Sequence, residues 1–212
     1  MKRSVREWCV RMILLCIGLT IAHFGVTLFM LVDLGSDPFN VFIQGLDHFT
    51  PVSHGITHMC ISSLIILVLL FWDRSYIKAG TVVCMVLGGP IIDLFTWMFG
   101  GIVNGEMFFP VRLLVMTAAC LILAFGMTIV IQSDAGTGPN DLVAVVLSAK
   151  SHRKFSIVRV IVDFSFVLVG VILGGTFGIG TLVCAFVVGT AAGYFMPVSS
   201  QLVHNTVRRF SE

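Results

Sequence analysis

Arg159 and Asp163 lie four residues apart inside an apolar run, one helical turn from each other, so they can pair and neutralise. A lone charge at the bilayer centre costs at least ~2.5–3.5 kcal/mol on insertion scales, so ionisable residues there pair or serve function. The bland account of this pair is a salt bridge near one membrane face, with Arg159 snorkelling to lipid headgroups. Asp93 follows Pro90 in another apolar run and has no basic residue on its own helix. It needs Arg159, the N-terminus of a short helix, or water. Asp93 and Asp163 are therefore candidates to carry a proton. His23, in the middle of the first apolar run, is a third, although a lone helical histidine is more often hydrogen-bonded core.

Two short turns supply the other polar groups. One reads Asp33-Leu34-Gly35-Ser36-Asp37-Pro38 and the other Asp134-Ala135-Gly136-Thr137-Gly138-Pro139. Glycine makes each turn, Ser, Thr or Asp37 caps a helix, and Pro is favoured in a first helical turn. Each turn then starts a helix of about eleven residues, roughly 16 Å at ~1.5 Å per residue, or half a bilayer. Such half-helices either dip into the membrane or lie in its interface. If they dip, their N-termini present unpaired N–H groups and roughly half an elementary charge. Ser36, Asp37, Asn40, Thr137, Gly138 and Asp141 would then line a solute site with Arg159. If they lie flat, Asn40, Gln44, Asp47 and His48 form the polar face of an amphipathic helix. Asp33 and Asp134 read as turn-builders, and Thr27 and Thr128 as hydroxyls that bond back to their own helix.

The two turns belong to an internal duplication. Residues 24–46 return as residues 125–147 (125 − 24 = 101), matching Phe24/Phe125, Gly25/Gly126, Thr27/Thr128, Asp33/Asp134, Gly35/Gly136, Pro38/Pro139 and Leu46/Leu147. With the register slipped by one, Gly80, Thr81, Val83, Cys84 and Gly89 return as Gly180, Thr181, Val183, Cys184 and Gly189. The halves divide at residues 1–106 and 107–212 of one membrane domain. The apolar share is 57% and the charged share 11%, which excludes an ordinary soluble domain. The mean hydropathy is +1.02.

Six apolar spans are expected, over residues 12–32, 56–71, 79–99, 111–131, 157–173 and 178–198, each near the ~20 residues a bilayer core requires. With the N-terminus inside, Lys2, Arg3, Arg6, Arg11, Arg74, Lys78, Lys150, Arg153, Lys154, Arg159, Arg208 and Arg209 fall on the cytoplasmic side. Of the 13 basic residues only Arg112 lies outside, so both termini are expected to be cytoplasmic. Three spans per copy turn the second copy upside down relative to the first. The expected fold is thus all-α: six transmembrane helices as two inverted three-helix repeats, each with a half-helix after its first span. Secondary transporters reuse that architecture, with the site near the midplane between repeats.

The paired turns resemble the bacterial YczE/YyaS/YitT family of integral membrane proteins. So do residues 156–163 (SIVRVIVD), 178–181 (GIGT) and 89–93 (GPIID). The resemblance spans residues 14–197, with one departure: the first turn reads Asp37-Pro38-Phe39-Asn40 where the second copy has Gly-Pro-x-Asp. It implies a multi-pass protein of the bacterial plasma (inner) membrane, with no agreed substrate.

Other chemistry finds little support. His54 and His58 are four apart with Cys60 nearby, but no third ligand has a recognisable spacing, so no metal or other cofactor is expected. The six cysteines form no Cys-x-x-Cys motif, and the repeat partners Cys84 and Cys184 read as packing residues. Small residues at four-residue spacing, Gly80/Cys84/Gly88 and Gly180/Cys184 with Gly189/Gly193, suit close helix packing within the chain or across a homodimer of spans three and six. Nothing reads as an enzyme's acid–base–nucleophile set or a nucleic-acid surface. The expected function is a transporter or exporter of a small polar or anionic solute, in contact with the lipid bilayer. The rival is a non-transporting partner that stabilises or regulates a membrane complex.

Overall fold

The computed structural model describes residues 4–49 and 54–211, without the side chains of His54, Gly55 and Ser211, so Lys2 and Arg3 lie outside the described residues. Its main helices in chain order are α1 (Val5–Leu31), α2 (Pro38–Asp47), α3 (His54–Trp72), α4 (Ala79–Phe99), α5 (Phe109–Ser133), α6 (Pro139–Ser151), α7 (Phe155–Ile172) and α8 (Ile179–Ser211). A short 3-10 turn, Arg74–Tyr76, joins α3 to α4. α1, α4, α5, α7 and α8 are long and apolar enough to cross a membrane, and α3 contributes a shorter apolar stretch, Ile56–Trp72. The chain is an all-helical, polytopic membrane protein.

Element positions follow the expected ones, with three differences. α1 starts at Val5 rather than Met12, because the Ser4 hydroxyl accepts the Glu7 N–H at 3.1 Å and caps the helix early. α8 runs through Pro197 to Ser211. α4 also continues through Pro90, which sits on its exposed side. The half-helices begin at the two prolines, α2 with Asp37 accepting from the Phe39 and Asn40 amides at 3.2 Å.

At the centre α1 crosses α5. A Cβ on Gly126 would stand 2.3 Å from the Ala22 amide nitrogen, and one on Gly25 would stand 2.6 Å from the Ala119 carbonyl oxygen and the Leu123 nitrogen. Backbones approach this closely only where side chains are absent. Gly18 meets Gly126 while Gly25 meets Ala119, so the helices are antiparallel. α4 lies parallel to α1, placing Gly80 by Leu15 and Gly88 by His23, with Phe24 against Phe95 and Phe99 at ring distances of 5.1 and 5.3 Å. α8 lies parallel to α5 in the same way, through Phe125–Phe195 (5.4 Å) and the Thr128–Ser199 hydroxyl pair (2.7 Å). Cys120, Cys184, Met116 and Met127 are buried between α5 and α8.

Of the two uses open to the small residues, close packing within the chain is present: Gly80 and Gly88 face α1, Gly180 faces Leu34 and Met116, and Gly189 and Gly193 face α7, while Gly89 has nothing within 4 Å of its Cβ position.

The ends of α1 and α5 are tied by an exchange between the halves. Asp33 and Asp134 have φ of 48° and 55°, and Gly35 and Gly136 have φ of 141° and 144°, so each helix stops in a left-handed turn. The Gly180 amide donates to the Leu34 carbonyl, and the Gly80 amide to the Ala135 carbonyl, both at 2.9 Å. Arg112 donates to the Val32 carbonyl (2.8 Å) and the Asp33 carbonyl (2.6 Å), and Arg11 to the Ser133 carbonyl (3.0 Å). Lys78 bonds the Asp134 carbonyl at 3.1 Å and pairs with its carboxylate. Thr27 and Thr128 bond back to His23 and Phe125, as expected.

Gly126→Leu is expected to abolish accumulation of folded, monodisperse protein in detergent, because backbone rather than a movable side chain occupies the space. Arg112→Ala should cost about 1.5–3 kcal/mol, the worth of a charged hydrogen bond, read as a lowered unfolding midpoint.

Candidate functional site: a buried charge cluster

Helical spacing on α7 brings Asp163 back onto Arg159, whose Nε donates to Asp163 Oδ2 at 2.9 Å. The first turn of α6, set by Pro139, delivers Asp141, whose Oδ1 accepts from an Arg159 terminal nitrogen at 2.5 Å. Arg159 is 7% exposed and Asp163 2%. One guanidinium is therefore held between two carboxylates, and the fully ionised cluster carries a net negative charge. The expected pair is present, but the expected snorkelling is not, because both carboxylates lie inward of the chain surface and hold the head group in. A buried cation with two hydrogen-bonded anions is a satisfied arrangement; removal of one member leaves an uncompensated charge.

The first turn closes on itself nearby. Asn40 donates to the Asp37 carboxylate, and Gln44 Nε2 donates to Ser36 Oγ at 2.9 Å. Gln44 Oε1 accepts from the Thr176 amide at 3.2 Å and from its hydroxyl, while the Thr181 hydroxyl donates to the Ser36 carbonyl at 2.7 Å. Phe39 and Phe42 of α2 pack on Phe166 of α7, and Asp37 stands within electrostatic reach of Asp163. In the second turn Thr137 is 4% exposed and its hydroxyl has no partner, nor has the buried Thr81 hydroxyl at the start of α4. Gly138 is the N-cap of α6.

The other proton candidates divide. His23 Nδ1 donates to the Leu19 carbonyl at 2.8 Å, which leaves Nε2 facing Gly88, and Asp141 is within its electrostatic reach. Asp93 is exposed on the outer side of α4. Of the partners open to it, Arg159, a half-helix end or water, the first is not used: Gly80, Cys84 and Gly88 turn the opposite side of α4 toward α1, so Asp93 points away from the cluster.

Three groups escaped the sequence reading. Arg11 and Arg112 stand 101 apart (112 − 11 = 101), the offset of the turns they cap, and extending the repeat alignment upstream would have found them. Gln44 read as a polar-face residue, and nothing in the sequence pointed to Thr176. Asp141 was a site candidate but not a partner of Arg159, because that contact joins two helices.

Arg159→Ala should destabilise by about 3–5 kcal/mol, since it strands two carboxylates. Arg159→Met combined with Asp163→Asn should recover much of that loss, measured by thermal unfolding in one detergent.

The chain is 28% identical over 195 residues to an uncharacterised protein of Haemophilus influenzae, covering 90% of this chain and 85% of that one. It is 25% identical over 193 residues to the uncharacterised membrane protein YczE of Bacillus subtilis, covering 91% and 88%. It is 24% identical over 186 residues to the uncharacterised protein YyaS of the same organism, covering 86% and 90%. No solved structure matches it. The likeness to YczE and YyaS bears out the resemblance carried by the paired turns, and over residues 9–197 the chain matches, and so belongs to, the family of unknown function DUF6198.

Proposed function

We propose that the protein is a six-span carrier of the bacterial inner membrane, built of two inverted halves, that moves a small polar solute past the Asp141–Arg159–Asp163 cluster. The observation that carries this reading is the cluster itself: three ionisable groups, two of them almost fully buried, at the start of a half-helix in a membrane protein. The repeat-equivalent helices α1 and α5 run antiparallel, as inverted copies must. With both termini cytoplasmic, α3 serves as the remaining span. Arg159 is already matched by two carboxylates, so the reading moves from an anionic solute toward a neutral or cationic one, with Asp163, Asp141 or His23 as the proton-accepting group. The partner reading draws less support, because most of the small residues it would use as an interaction surface face neighbours within the chain.

The test is solute counterflow and proton flux in proteoliposomes. Asp163→Asn and Asp141→Asn should each abolish flux while the protein stays monodisperse. Single cysteines complete it: a membrane-impermeant reagent should reach Ser36→Cys from outside and Thr137→Cys from inside. Labelling of both from one side rejects the inverted arrangement, and undiminished flux in both Asn variants rejects the site.

A further inference from the structure

The two halves do not use equivalent surfaces equally. In the second half α7 lies along α8, so that a Cβ on Gly189 would stand 2.4 Å from Val160 Cγ2 and one on Gly193 would stand 2.8 Å from Ser156 Cβ. In the repeat frame Gly189 and Gly193 correspond to Gly89 and Asp93 (189 − 89 = 100), and Val160 and Ser156 to Met59 and Gly55 (160 − 59 = 101). Yet α3 packs on α2 and α6 and does not lie along α4. Gly89 has nothing within 4 Å of its Cβ position, Met59 is 65% exposed, and Asp93 is exposed. Met59 and Gly89, the counterparts of a contact made in the second half, are therefore both bare in the first.

Their shapes still match. Where a glycine of α8 receives a serine of α7, an aspartate of α4 would receive a glycine of α3: Gly193/Ser156 against Asp93/Gly55. A second, independent gap has the same form. The Thr181 hydroxyl donates to the Ser36 carbonyl at 2.7 Å, but its counterpart Thr81, 1% exposed, has no partner, although Thr137 occupies the place of Ser36. The C-terminal end of α3 is anchored. Leu69 is buried with Leu142 and Val146, and Lys150 pairs with Asp73 at 2.6 Å, which with Ser75 holds the Asp73 carboxyl down to about 2. The N-terminal half is held on one side, where Thr57 and Ser62 are buried and the His58 ring lies 5.3 Å from Phe39 of α2, and on the other carries exposed Ile56, Met59, Cys60 and Leu64.

We propose that the protein has a second conformation, in which α3 pivots about its anchored C-terminal end and closes on α4, seating Met59 on Gly89 and Gly55 on Asp93. The closed pair covers an otherwise bare carboxylate in a membrane-spanning helix. The occupant is the chain's own α3, since the equivalent face in the second half is covered from within the same chain. This state goes beyond the carrier reading and holds whether or not a solute moves.

The test is disulfide trapping in native membranes with mass mapping. A disulfide requires Cα atoms within about 7 Å. The Met59→Cys/Gly89→Cys variant should lose both free thiols to an intramolecular 59–89 bridge, as the control Val160→Cys/Gly189→Cys does through 160–189. If only the control closes, or if the 59–89 bridge joins two chains, the proposal is overturned. Where the double variant fails to accumulate, a benzophenone amino acid at Met59 in the otherwise unchanged chain replaces it. Adducts on residues 85–97 of the same chain support the closed state, and adducts on lipid alone or on a second chain overturn it.

Discussion

The carbonyls just past the ends of α1 and α5 are satisfied from across the molecule. Every helix leaves its last four carbonyls without an intrahelical partner, and hydrocarbon offers no substitute. Here each end is served from the opposite half, by Arg112 and the Gly180 amide for α1 and by Arg11, Lys78 and the Gly80 amide for α5. These bonds determine where α4 and α8 start, hence which faces they lay on α1 and α5. They also hold the turns that launch α2 and α6, so the position of Asp141 against Arg159 depends on them. The halves are interleaved rather than adjacent.

The most legible features in the sequence were those whose cause is local. The Asp-x-Gly-x-x-Pro turns specify a left-handed stop followed by a capped start, and both half-helices begin at their prolines. Five of the six expected spans were legible because apolar length alone decides them, while α3 offers the shorter stretch Ile56–Trp72, and Ser4 and the tolerance of Pro197 moved two boundaries. The Arg159–Asp163 contact was legible because four-residue spacing is geometry within one helix. Asp141 joining that pair, Asp93 facing outward and the separation of α3 from α4 depend on how helices are placed about each other. Apolar periodicity is weak where lipid and core are both greasy, so it could not say which side of α4 is covered.

Divergence between the copies is concentrated in contact size and in charge. α2 meets α7 through Gly45 and Gly170, where a Cβ on either would stand 2.6 Å from the opposing backbone. The equivalent α6–α3 contact uses Val146 and Leu69, whose side chains hold the helices further apart. Where the second half carries Asp141, Arg159 and Asp163, the first has Asn40, His58 and Ser62 at the matching positions. Of these two contacts between the halves, α2–α7 is close and glycine-lined and α6–α3 is wider, and the charged positions lie on α6 and α7.

The cross-half arginines also bear on biosynthesis. As the chain leaves the ribosome, α1 to α4 enter the membrane before Arg112 has been made, and the carbonyls of Val32 and Asp33 wait for a donor that the nascent chain lacks. The amide of Gly80 likewise waits for Ala135. The first half is thus an insertion intermediate with open polar ends, which water at the interface, the translocation machinery or a membrane chaperone must shelter until α5 arrives. Translation speed across residues 100–135 then becomes a property of the fold, and a pause there prolongs the interval in which the half-built protein is open to quality-control proteases.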